Sequence, residues 1–125
     1  MKVNEIMNKA IAVEHEISLK EAAQIMSKRN IGSLIILKND KIAGIITEKD
    51  IIENIGSINK KISSVMSKDV TTINHDESID NAALLMAGHK IKRLPVLEKG
   101  KLVGIITATD IVANSDLLNE YFLFD

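Results

Sequence analysis

The stretch Gly44-Ile45-Ile46-Thr47-Glu48-Lys49-Asp50 returns sixty positions later as Gly104-Ile105-Ile106-Thr107-Ala108-Thr109-Asp110. Sliding the chain by sixty lays residues 13–52 on 73–112, and 15 of these 40 positions are identical. His15 falls on His75, Ser18 on Ser78, Ala22-Ala23 on Ala82-Ala83, and Met26 on Met86. Upstream, Ile6-Met7 falls on Val65-Met66 at an offset of 59, so the second copy gains one residue near Asp69–Thr71. A repeat at a fixed period says that one supersecondary unit is written twice. Two copies are too few for a solenoid. The expectation is a pair related by a pseudo-twofold axis, with each half covering the other's apolar face. Residues 1–58 hold the first copy. Residues 59–125 hold the second, with a C-terminal helix and tail.

The pattern within one copy predicts its elements. Ala10–Val13 and Asp69–Ile73 read as short extended segments. Ser18 followed three residues later by Glu21 is a capping-box spacing. Leu19, Ala22, Ala23, Ile25 and Met26 follow at helical intervals, and the pattern ends near Asn30-Ile31-Gly32. Ser33–Leu37 is a β-rich run, and Lys41–Thr47 is its return strand. Asn39-Asp40 between them is a two-residue hairpin signal, echoed by Lys99-Gly100. A second helix begins at Glu48. The predicted order is β-α-β-β-α, twice, in the α/β (α+β) class. Gly56–Ser64 is polar, with Gly and Ser, and reads as the linker.

Composition removes several function classes. The net charge is −1, which gives no field that favours nucleic acid or an anionic membrane. No apolar run approaches the roughly 20 residues that span a bilayer. The N-terminus is polar and acidic, unlike a secretory signal, so a cytoplasmic protein is expected. Without Cys there are no disulfides, no thiolate catalysis and no Cys-type zinc site. The aromatic residues are Tyr121, Phe122 and Phe124, so no internal ring is present for base stacking. His15, His75 and His89 share no metal-ligand spacing on one element, and no metal is expected. No nucleophile-base or paired-carboxylate arrangement can be read from spacing, so no enzyme is expected.

Thr47 and Thr107 lie where a strand ends and a helix starts. Thr-x-x-Asp is itself a capping spacing, and an acid there favours the positive helix end. Two features go beyond a cap. Gly44 and Gly104 permit close approach by another backbone or a ligand. The strand-to-helix junction is also a place that attracts phosphate. Asp50 and Asp110 are suited to accept hydrogen bonds from the vicinal hydroxyls of a ribose. The Thr hydroxyl beside each can donate to a ribose or phosphate oxygen.

In this order, the two lead-in segments (Ile6–Val13 and Val65–Ile73), the helices Ser18–Met26 and Ser78–Met86, the strands Ile31–Leu37 and Ile91–Leu97, and the two Gly-Ile-Ile-Thr-x-x-Asp runs resemble a tandem pair of CBS domains, or Bateman module. The resemblance runs from Val3 to about Val112. It implies two β-α-β-β-α units with clefts between them. It implies binding of AMP, ADP, ATP or S-adenosylmethionine without chemistry and without a further cofactor. Carried over, Thr47, Asp50, Thr107 and Asp110 would contact ribose and phosphate. Ala12, Val13, Thr72 and Ile73 would offer backbone groups to the base, and Ile36 and Val96 would be apolar walls. A basic residue at Arg93 would reach a ligand phosphate. Ser33 stands there in the first copy, so the two sites should differ. Lys49 is a weaker candidate of the same kind. The family often has Pro just before the first helix, where His15 and His75 stand here.

Ile51, Ile52, Ile55, Ile111 and Val112 form apolar stripes, and Leu117–Asp125 adds further apolar bulk. A contiguous apolar surface marks an interface more often than not. The resemblance implies a homodimer, with a separate protein as the effector. The alternative is a homodimeric interaction module whose ligand clefts are vestigial.

Overall fold

The computed structural model describes residues 1–115, so the apolar tail Leu117–Asp125 lies outside the described residues. The chain divides into two compact units. One is contiguous, Ile11–Val70. The other joins Met1–Ala10 to the residues from Thr71 onward.

The contiguous unit runs β1 (Ala12–Val13), α2 (Leu19–Arg29), β2 (Ser33–Lys38), β3 (Lys41–Thr47) and α3 (Glu48–Glu53). The Ser18 hydroxyl accepts from the Glu21 N–H at 3.1 Å, and the Glu21 carboxylate accepts from the Ser18 N–H at 3.3 Å. This reciprocal cap starts α2 where the sequence predicts it. Asn30, in the left-handed region at φ 54°, ends the helix. Asn39 and Asp40 are left-handed at φ 54° and 64°, the geometry that a tight hairpin with right-twisted strands requires. The sheet order is β1-β2-β3, with β1 parallel to β2 and β2 antiparallel to β3. Leu34, Ile36 and Ile46 from the sheet meet Leu19, Ala22 and Met26 from α2 in one core.

The second unit repeats this with β4 (Ile73–Asn74), α4 (Ile79–His89), β5 (Arg93–Glu98), β6 (Lys101–Thr107) and α5 (Ala108–Ala113). Its core joins Ala82 and Met86 to Ile73, Leu94, Val96 and Ile106. Together these are a mixed α+β fold with one three-stranded sheet in each unit. Pro95 sits in the central strand β5, opposite Ile105 and fully buried, where a proline is unusual. In the first unit Ile35 donates its N–H to the Ile11 carbonyl at 3.1 Å. Pro95, the counterpart of Ile35, has no N–H to give. The residue gained in the second copy therefore falls beside a rung that the proline has already removed.

The lead-in segments are exchanged. Residues 61–67 precede the second repeat but close the first unit, and residues 2–8 precede the first repeat but close the second. A single helical turn, α1 (Val3–Ile6), carries Val3 fully buried into the core of the second unit. Ile62, in a 3₁₀ turn (Ile62–Ser64), fills the same place in the first at 1% exposure. The segment that reads as a polar linker is thus partly core. Its one deeply buried side chain outweighs its composition. Ser67 exchanges two backbone bonds with Ile45, both 3.0 Å, and Asn8 exchanges two with Ile105 at 2.8 and 2.9 Å. Each sheet gains a short extra rung on its β3 or β6 edge.

Glu16 accepts from the Ser63 N–H at 3.1 Å, and hydrogen bonding from Ser63 holds its carboxyl below the ordinary value. A lowered folded-state value contributes stability that is present above the ordinary carboxylate range and is lost as pH falls through the lowered one. Glu16 is exposed, so this contribution is small.

The repeated glycines are explained within the units. A Cβ on Gly104 would lie 2.6 Å from the Met7 sulfur and 2.9 Å from the Asn8 carbonyl oxygen. On Gly44 it would lie 2.5 Å from the Met66 sulfur and 3.0 Å from the Ser67 carbonyl oxygen. The close approach is thus made by the lead-in segment. Gly104→Ala and Gly44→Ala should each cost about 1–3 kcal/mol by overpacking, read as a lower urea midpoint. An unchanged midpoint in either variant would mean that its lead-in segment does not seat on that glycine.

Candidate functional site

The antiparallel register of β5 and β6 sets Arg93 directly opposite Thr107, and that of β2 and β3 sets Ser33 opposite Thr47. Paired residues in such a ladder project to the same face. Arg93, Thr107 and, one helical turn on, Asp110 are therefore brought together at one end of the second sheet. Arg93 is half-buried and makes no ion pair among the described residues. Its counterpart Ser33 is buried, at 8% exposure. Lys49 instead lies exposed, 3.8 Å from Glu53 on its own helix.

Both Thr-x-x-Asp pairs form capping boxes. Asp110 Oδ2 accepts from the Thr107 N–H and from the Thr107 hydroxyl, each at 2.8 Å. The Asp110 N–H donates back to Thr107 Oγ1 at 3.2 Å. In the first unit Asp50 Oδ2 accepts from the Thr47 N–H at 2.8 Å and from its hydroxyl at 3.2 Å. A threonine has one hydroxyl proton. Here it is committed to the aspartate, so the threonine as arranged holds the carboxylate and has no proton left for a ligand. Every bond that the Asp50 and Asp110 carboxylates receive among the described residues goes to Oδ2. Oδ1 of each carboxylate is left as an acceptor. Cap and grip are therefore compatible in one residue. The short helices are closed at the other end by Asn54 and Asn114, whose side chains donate to the Asp50 and Asp110 carbonyls at 2.7 and 2.8 Å.

Sequence reasoning missed Asn8. Its side-chain amide donates to Asp110 Oδ2 at 2.8 Å, although the two residues are 102 positions apart. The repeat held a signal, since Asn8 aligns with Ser67 after the matched methionines. What hid it is that each lead-in segment serves the other copy.

The remaining expected site residues lie in or beside the strands of the two sheets. Ala12 and Val13 pair with Ile35 and Ile36 in the first sheet. Thr72 and Ile73 line a hollow of about 500 Å³ with Glu77, Asn81 and His89, and neither Arg93, Thr107 nor Asp110 lines it. Val96, expected as an apolar wall, is fully buried in the second core, because strand alternation turns it toward α4. Ile36 is a core residue for the same reason. Its remaining 8% borders a hollow of about 310 Å³ with Glu14, His15, Lys38 and Met66. Among the described residues, no three His, Asp or Glu side chains gather as metal ligands. No helix there is long and apolar enough to cross a membrane.

This doubled α+β unit, ending each time in a capped Thr-x-x-Asp, has known relatives. The family model of the CBS domain matches residues 3–57 and again residues 62–116. The chain belongs to the CBS-domain family and carries two such domains in tandem. An uncharacterized protein of Methanocaldococcus jannaschii is 37% identical over 114 residues, which make up 90% of this chain and 38% of that protein. The CBS domain-containing protein YhcV of Bacillus subtilis is 31% identical over 101 residues, or 78% of this chain and 72% of YhcV. A solved CBS domain pair in complex with 5′-methylthioadenosine and S-adenosyl-L-methionine matches with a TM-score of 0.86 and 34% identity. That match covers 97% of this chain and 98% of the other. The chain spans only 38%, 24% and 22% of the length of three curated relatives that it matches.

The unequal donor sets give a measurable difference. Asp50→Ala removes an acceptor from two donors, whereas Asp110→Ala removes it from three. Asp110→Ala should therefore cost more by about 1 kcal/mol, the scale of one partly exposed hydrogen bond. Denaturant unfolding of the two variants measures it. Equal losses would mean that the Asn8 bond contributes nothing to stability.

Proposed function

We propose that this chain is a non-catalytic regulatory module that reversibly binds an adenosine-containing ligand: AMP, ADP, ATP or S-adenosylmethionine. The observation that carries the reading is the CBS domain pair solved with two adenosyl compounds, which is 34% identical to this chain over nearly its whole length. The local chemistry supports it. Oδ1 of Asp50 and of Asp110 suits vicinal ribose hydroxyls, and Arg93 suits a phosphate or carboxylate. Ala12, Val13, Thr72 and Ile73 remain the proposed backbone contacts to the base. No nucleophile or base is assigned, and none is needed for reversible binding. The reading extends to a cytoplasmic homodimer that reports its ligand state to a separate effector protein, without nucleic acid or membrane. A CBS-CP12 protein, 25% identical with a TM-score of 0.84, is described as hexameric, so assembly is known among similar proteins.

A second reading is an interaction module with vestigial ligand sites. Ile52, Ile55 and Val112 favour it, because they are 71%, 68% and 58% exposed. Ligand binding separates the two. A ligand that binds only the folded state at a hundred times its Kd should add about 2.7 kcal/mol of stability. For a chain of this size that is several degrees of Tm. A panel of AMP, ADP, ATP and S-adenosylmethionine is the test, and no shift at millimolar concentration would leave only the second reading. Arg93→Ala should weaken ATP more than adenosine, because it removes a charge-assisted contact. Equal weakening of both, measured by calorimetric titration, would remove Arg93 from the site.

A further inference from the structure

The two carboxylates are not held alike. Asp110 Oδ2 takes three donors, from the Thr107 N–H, the Thr107 hydroxyl and the Asn8 amide, each at 2.8 Å. Asp50 Oδ2 takes two, and the hydroxyl bond is longer at 3.2 Å. The reciprocal contact of the aspartate N–H with the threonine hydroxyl is present in both capping boxes and reaches hydrogen-bond geometry, at 3.2 Å, on the second side. Asn8 is itself firmly placed. Its backbone pairs with Ile105 in both directions, and Met7 before it fills the notch over Gly104. Ser67 holds the equivalent place beside Ile45, with the same two-way pairing and with Met66 over Gly44. Its side chain is shorter and makes no bond to Asp50.

We infer that Asn8 is a positioning residue for the second adenosyl site: it fixes the Asp110 carboxylate so that Oδ1 faces the ligand, and the Asn8/Ser67 difference makes the second site the tighter one. The inference rests on the adenosyl-binding reading and deepens it. A carboxylate with one oxygen saturated by three donors cannot rotate without breaking all three. Its other oxygen is thus pre-set, and binding does not have to order it. The Asp50 carboxylate, held by two donors from a single residue, keeps more freedom. Asn8 comes from a segment far from Asp110 in sequence, so the order of that lead-in segment and occupancy of the second site are thermodynamically linked.

The test is calorimetric titration of the full chain with AMP, ATP and S-adenosylmethionine, with each site isolated in turn. In an Asp50→Ala background, which leaves the second site, Asn8→Ala should weaken binding about tenfold, the scale of one hydrogen bond to a charged group. Asn8→Gln, which keeps the amide donor, should recover part of that loss. In an Asp110→Ala background, Asn8→Ala should leave binding at the first site unchanged, and Ser67→Asn should tighten it. The loss should also be larger for AMP than for its 2′,3′-dideoxy analogue, a difference that a general loss of packing would not produce. Urea unfolding of the same variants checks that they fold. If wild type binds but Asn8→Ala binds equally well, the positioning role is overturned and the adenosyl-binding reading stands. An equal loss for AMP and the dideoxy compound overturns it in favour of a purely structural role. If wild type binds none of the three ligands, both readings fall.

Discussion

A methionine seated over a glycine organises each half of this protein. Met66 lies on Gly44 and Met7 on Gly104, each with the next residue paired to the strand edge beside it. Any side chain on either glycine would overlap sulfur and backbone together. The contact fixes the register of the lead-in segment against β3 or β6. That register in turn drops Ile62 or Val3 into the core, where both are essentially fully buried. In the second unit the same register delivers Asn8 to Asp110. Core closure, strand pairing and carboxylate placement thus depend on one absent side chain.

At the carboxylates, the cap and the proposed ligand contact draw on different atoms. The helix starts consume Oδ2 and the threonine proton. They leave Oδ1 of the aspartate, and in the second unit a half-buried arginine opposite the threonine. A residue can serve as a helix cap and still keep an acceptor for a ligand, because a carboxylate carries about four lone-pair sites. On the proposed reading the repeated motif is under two demands, and a substitution that preserves the cap can still remove the proposed grip.

Local elements were legible because their signals are local. Ser18-x-x-Glu21 caps α2, and Asn39-Asp40 turns the hairpin, each through bonds and dihedrals that neighbouring residues decide. The repeat also marked Thr47, Asp50, Thr107 and Asp110 as a set, and it set Arg93 apart from Ser33. Partnership at long range was not legible. An offset of 59 equates Met7 with Met66 but does not say which copy each one covers, and composition alone made the segment with Ile62 a linker. Strand polarity was read only in part. Ile36 and Val96 sit at positions that alternation turns into the core, and Pro95 occupies a central strand whose missing rung no local pattern reveals.

The exchange of lead-in segments also sets an order of assembly. The first unit draws every part from one unbroken stretch, Ile11–Val70, so its longest internal loops are short and its closure entropy is modest. The second needs residues 1–10 to meet partners beyond Thr71, across the whole of the first unit. On a ribosome, the first unit has all of its parts as soon as Val70 clears the exit tunnel. Residues 2–8 wait, with Val3 uncovered, for backbone partners that begin at His75 and Glu77 and end at Ile105 in β6. A chain stalled between the two events would be half folded, with Val3, Ile6 and Met7 still without the core they cover.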